Sequence, residues 1–302
     1  MQFNSHLAQH ARAGLFMVML AAVLWGTGNA IAKSIYDISN TNPVSVAFFR
    51  MLLSVPALLI LCRITLGRNM FAVHKGDLPF MLVAGTLVAL YQVSFYASIP
   101  RVGVAIATVI ALASAPVIVA VLSAVITRER PSVIVIIALA CAIVGTFLLT
   151  NVPADPKQTD VFGGVAFALL AGFLYAINTL VGRRLGNSGR AHPLQTTTFG
   201  FAFGAVVLLV IALASGLVIQ YPVEGWLRLG YLGLVSTAIG YALFYTGMRT
   251  TSAASASIAT LMEPLTATII AVLMLSEPLS PQALIGAVLM VAAMAVLVVG
   301  KK

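Results

Sequence analysis

Residues 260–267 read TLMEPLTA. The run around them, from Ser252 to Leu275, is apolar or small-polar except for Glu263, and Pro264 follows that residue directly. A charged side chain at mid-depth of a membrane helix costs roughly 2.5–3.5 kcal/mol, and a proline deletes a backbone hydrogen bond. Both penalties therefore fall at the centre of one apolar segment. The stretch also has a partner. EPLTATIIAVLMLSEPLS at 263–280 aligns with APVIVAVLSAVITRERPS at 115–132, with a proline second in each and a Glu and a Ser near each end. Ala115 stands where the second copy has Glu263.

Working outward, the match extends along the chain. LWG at 24–26 answers LYA at 174–176, NP at 42–43 answers HP at 192–193, and Phe49 answers Phe199, all at an offset of 150. FY at 95–96 answers FY at 244–245 at 149, and the proline stretches lie 148 apart. An ordered series with a slowly drifting offset marks an internal duplication that has lost two single residues.

The 302 residues are 61% hydrophobic and only 8% charged, against about 25% charged in globular chains. Such a chain belongs in a bilayer, and apolar runs of about 20 residues argue for helices rather than a β-barrel. The reading is an all-α integral membrane protein of ten spans. They fall at 14–35, 44–62, 78–98, 102–125, 131–150, 161–182, 194–216, 227–248, 252–275 and 280–299, separated by turn residues and charges. The first run is too long for a signal-peptide core and is read as a retained span behind a short tail, 1–13. The repeats are then 14–150 and 161–300, five spans each. Five is odd, so the second copy enters the membrane inverted. Inverted repeats place a substrate site near the midplane and let the halves exchange roles.

The net charge of +9 reads as topology rather than as a nucleic-acid surface. With the N-terminus inside, twelve of the seventeen Lys and Arg fall in inner loops and tails. Only Arg101, Lys157 and Arg228 lie outside, and Lys33 and Arg50 lie within spans. That bias predicts both termini in the cytoplasm. Cys62 and Cys141 sit in apolar runs and read as small hydrophobes, not a disulfide. His6, His10, His74 and His192 all fall in tails or loops, so neither a metal site nor a Ser–His hydrolase is expected. The chain is read as no enzyme, with no cofactor. A channel would want rings of carbonyls or charges, which an inverted repeat does not suggest.

The repeated pattern, FY followed by small residues, a proline and then E-R-P-S or E-P-L-S, resembles the EamA-type repeat of the drug/metabolite transporter superfamily over residues 14–300. The resemblance implies a two-repeat carrier of the bacterial inner membrane, with spans 1, 3, 4, 6, 8 and 9 around a central cavity and spans 5 and 10 at the periphery. Within the superfamily the chain most resembles bacterial aromatic amino acid exporters, which implies export of small amphipathic metabolites. A drug or nucleotide-sugar carrier is the alternative. A phosphate-bearing substrate would ask for several basic groups at mid-depth, where only Arg50 stands. The small multidrug relatives carry a carboxylate on their first helix, and span 1 here has none. That leaves proton coupling and facilitated diffusion both open.

Depth along a helix follows from 1.5 Å per residue, and it selects the candidate substrate-binding residues. They are Trp25 and Asn29 on span 1, which share a face at i and i+4, Tyr91 and Gln92 on span 3, Ser114 on span 4, Tyr175 and Asn178 on span 6, Tyr241 on span 8 and Glu263 on span 9. Pro116 and Pro264 are equivalent positions and candidate hinges. Glu263 has three readings: it binds a substrate ammonium, takes a proton, or pairs with Arg50 or Lys33. Arg50 attracts a carboxylate, snorkels or pairs with Glu263. Lys33 and its repeat partner Arg183 are candidates for charge pairing or gating. Tyr96 and Tyr245 lie nearer span ends and read as interfacial anchors. Gly200 and Gly204 form a small-xxx-small pattern for close packing, within the chain or between chains. The partners read from the sequence are a small-molecule substrate and the lipid bilayer; the residues do not fix an oligomeric state, and a monomer is compatible with them.

Overall fold

The computed structural model describes residues 2–102, 104–127, 132–149, 160–188, 192–275 and 281–299. The described residues form helices α1 (Gln2–Ile38), α2 (Pro43–Leu66), α3 (Leu78–Val102), α4 (Val104–Thr127), α5 (Val133–Leu149), α6 (Val161–Ser188), α7 (Pro193–Ala214), α8 (Val223–Tyr231), α9 (Gly240–Gly247), α10 (Ala253–Ala259), α11 (Met262–Leu275) and α12 (Pro281–Val299). A π segment, Leu232–Ile239, joins α8 to α9 into one rod. Among the described residues, seven helical stretches are long and apolar enough to cross a membrane. The shorter apolar helices α5 and α12 and the broken pair α10–α11 complete ten spans. α1 begins at Gln2, so helix runs through the stretch read as a tail.

Swapping the halves maps the packing onto itself. α5 lies on α12, and α2 on α7. α3 lies on α6 as α9 lies on α1, α4 on α6 as α11 on α1, and α3 on α7 as the π segment on α2. This is the contact pattern of two inverted five-helix repeats.

The local chemistry repeats too. Asn42 caps α2, its side chain accepting from Ser45 N at 2.9 Å, with Pro43 at the first helical position. Its counterpart His192 caps α7 in a capping box with Gln195, ahead of Pro193. Both caps satisfy N–H groups that have no partner inside the helix. The same turns grip the loops beside them. Asn42 Nδ2 donates to Gly216 O at 2.7 Å and Ser45 Oγ accepts from Val218 N at 3.0 Å. On the opposite end, Gln195 Nε2 donates to Asn69 O at 3.1 Å and to Met70 O at 3.2 Å.

Closest approach occurs where the sequence supplies glycine. A Cβ at Gly85 on α3 would stand 1.7 Å from Gly200 O on α7, and one at Gly204 2.7 Å from Gly85 O. The small-xxx-small pattern is therefore consumed inside the chain. The equivalent crossing pairs Gly233 with α2, where a Cβ would stand 3.1 Å from Arg50 O. Gly85 and Gly233 lie 148 apart, while Phe95 and Phe244 lie 149 apart. The π segment between them houses the extra residue, as such bulges do.

The two prolines behave differently. Pro116 sits inside an unbroken α4. Pro264 cannot bond Thr260 O, and the chain there tightens: Leu261 N donates to Ile258 O and Glu263 N to Thr260 O, both at 3.0 Å. The helix breaks at Thr260–Leu261 between α10 and α11. Of the two predicted hinges, only this one interrupts its helix.

Candidate functional site

Near the middle of the bundle a cavity is lined by Trp25 and Asn29 from α1, Arg50 from α2, Tyr91, Gln92, Phe95 and Tyr96 from α3, Tyr175 from α6, Tyr241 from α9 and Glu263 from α11. Spans 1, 3, 6, 8 and 9 thus contribute. Span 4, expected there, does not, and span 2 enters through Arg50.

The rings set the shape. The Trp25 indole lies 4.7 Å from Tyr241 and 5.5 Å from Phe244, centroid to centroid. It fits because Gly240 has no side chain: a Cβ there would stand 2.7 Å from Trp25 Nε1. Tyr91 stacks on Phe95 at 6.0 Å and meets Tyr175 at 5.6 Å. Trp25 and Gln92 are buried, and Trp25 Nε1 and Gln92 Oε1 have no hydrogen-bond partner among the described residues. Buried polar atoms are normally satisfied, so these two stand out among the lining groups. The cavity volume is about 40 Å³, room for roughly three waters at about 10–15 Å³ each. A metabolite must push the lining apart.

Two opposite charges face this space. Glu263 Oε1 accepts from Asn29 Nδ2 at 2.7 Å. The contact is possible because Gly26, one turn away on α1, lets α11 approach: a Cβ there would stand 2.6 Å from Glu263 O. Arg50 Nε donates to Thr237 Oγ1 at 3.1 Å, and Thr237 is delivered by the π segment. Arg50 and Glu263 are not an ion pair. Among the described residues the ion pairs are Arg101–Asp160 and Arg228–Glu224, both near helix ends. Of the readings offered for the two residues, the Arg50–Glu263 pairing is not formed, and neutral groups hold both instead.

Several candidates lie elsewhere. The Ser114 hydroxyl donates to Ala111 O at 3.2 Å and faces Gly172, where α4 crosses α6. Asn178 is buried and its Oδ1 accepts from Tyr245 OH at 2.9 Å, tying α6 to α9. Tyr245, read as an interfacial anchor, is 2% exposed and is an interior strut. Arg183 Nη1 donates to Met248 O at 2.7 Å, satisfying a carbonyl just past the end of α9. The Lys33 side chain lies outside the described residues. Tyr96, read as an interfacial anchor, lines the cavity instead, and Phe95 beside it was missed, although i, i+4 spacing puts the two on the faces of Gln92 and Tyr91. Thr237 carried no signal beyond depth.

A family model described as the EamA-like transporter family matches residues 12–151 and again 162–299. The chain belongs to the EamA-like transporter family. It is a multi-pass membrane transporter. Among relatives, the EamA-type chain is 29% identical over 227 residues to the uncharacterized transporter YwfM of Bacillus subtilis (strain 168), covering 75% of this chain and 74% of the relative. It is 28% identical over 243 residues to the uncharacterized inner membrane transporter YicL of Salmonella typhimurium, covering 77% of each. One solved protein chain superposes with a TM-score of 0.78 at 16% identity, over 95% of both chains, a likeness of fold.

Proposed function

We propose that this transporter exports small amphipathic metabolites, amino acids with aromatic or apolar side chains, by alternating access between its inverted repeats. The observation that carries the reading is the lining: six of the ten residues around the central cavity are aromatic, and two of the others carry opposite charges. Rings give broad contact for an apolar side chain, and a few placed polar groups fix orientation. Arg50 is the only cation among the described lining residues, which argues against a nucleotide-sugar carrier, since a nucleotide's phosphates would ask for several basic groups. The charge bias of the loops supports an inner-membrane protein with both termini in the cytoplasm. One experiment tests the substrate class: uptake of labelled phenylalanine, threonine and alanine into proteoliposomes, with and without a proton gradient. Saturable phenylalanine uptake supports the reading, and its dependence on the gradient decides coupling. No uptake of any of the three by folded protein sinks it.

A further inference from the structure

We propose that Arg50 and Glu263 divide between them the two charges of a zwitterion, the guanidinium taking the substrate's carboxylate and Glu263 taking its ammonium. This rests on the amino-acid reading above and adds which charge is held by which residue.

The repeat supplies the first argument. Arg50 is the counterpart of Gly200, which packs backbone to backbone on Gly85, and Glu263 is the counterpart of the buried Ala115. The other half builds the same crossings with no charge at either place. The scaffold has no need of the two charges.

The second argument is their arrangement. Opposite charges in a protein interior normally pair, because an uncompensated one is costly. Here both face one cavity without pairing, and neutral groups from other helices hold them: Thr237 on Nε of Arg50, with Tyr96 a second partner of the guanidinium, and Asn29 on Oε1 of Glu263. Each bond uses one atom of the charged group. A guanidinium has five donor hydrogens and a carboxylate two acceptor oxygens, so both retain capacity. A ligand with both charges satisfies both residues at once. A ligand with one charge leaves the other residue facing the cavity uncompensated.

Discrimination should therefore be steep, since sites built around a polar partner reject analogues that lack it. The test is competition for labelled phenylalanine bound to the purified full-length protein, using phenylalanine, 2-phenylethylamine (ammonium only) and 3-phenylpropionate (carboxylate only). In the unaltered protein both analogues should compete at least about tenfold more weakly than phenylalanine. Glu263→Gln should narrow the gap for phenylpropionate and not for phenylethylamine, and Arg50→Gln the reverse. Phenylalanine binding with no discrimination in the unaltered protein overturns the proposal and leaves the amino-acid reading standing. So do variants that weaken all three ligands by one factor. No phenylalanine binding by folded protein overturns both. Absence of discrimination in the unaltered protein overturns the proposal even where a variant does not fold.

Discussion

Glu263 and Pro264 looked like two penalties at one place, and the structure shows what each does. Pro264 withholds an N–H from Thr260 O, and the helix is interrupted at Thr260–Leu261. Glu263, just after the break, turns into the cavity and is held by Asn29. The opposite half has an unbroken helix and Ala115 there. Beside this pair, Trp25 contributes contact area. Trp25→Leu removes the ring 4.7 Å from Tyr241, and an aromatic contact is worth about 1 kcal/mol beyond burial. Phenylalanine uptake should need about fivefold more substrate for half-saturation, while alanine uptake is unchanged. Equal loss for both amino acids would assign Trp25 to packing alone.

Helix crossings and helix ends give two further predictions. Gly85→Ala drives a methyl to within 1.7 Å of Gly200 O, and backbone cannot yield as a side chain can. It should destabilise the detergent-solubilised protein by about 1–3 kcal/mol, read as a fall in melting temperature. Gly230→Ala on α8 meets nothing within 4 Å and should be neutral or slightly stabilising, since alanine favours helix. The second concerns His192 at the N-terminus of α7. Its Nδ1 accepts from Leu194 N at 3.3 Å, which the protonated ring cannot do, and a cation there opposes the helix dipole. Burial, and then the charge of Arg249, hold its pKa below the ordinary value. Folding thus favours the neutral ring. Its contribution is complete above the unfolded value of about 6.5 and is lost as pH falls through the lower folded value. His192→Asn keeps a cap without a titration, so thermal stability from pH 7 to pH 5 should fall less in the variant than in the parent. Parallel curves would remove His192 from the cause.

For the whole molecule, composition and repetition determine the architecture. A chain 61% hydrophobic with helix-length apolar runs has to satisfy its backbone within helices, and an offset of 148–150 between odd-numbered halves makes the copies inverted. Depth was legible for the same reason, because rise per residue is constant. Direction around each helix was not. Trp25, Asn29, Tyr91, Gln92, Tyr175, Tyr241 and Glu263 share the cavity, while Ser114 and Asn178, at comparable depth, turn into helix–helix contacts. Which way a residue faces depends on crossings between helices distant in sequence, set by backbone contacts such as Gly85 on Gly200. The separation of Arg50 from Glu263, the break at only one of two equivalent prolines and the π segment that presents Thr237 were decided there too. Hydropathy is a property of each segment alone, whereas these features belong to pairs of segments brought together by packing.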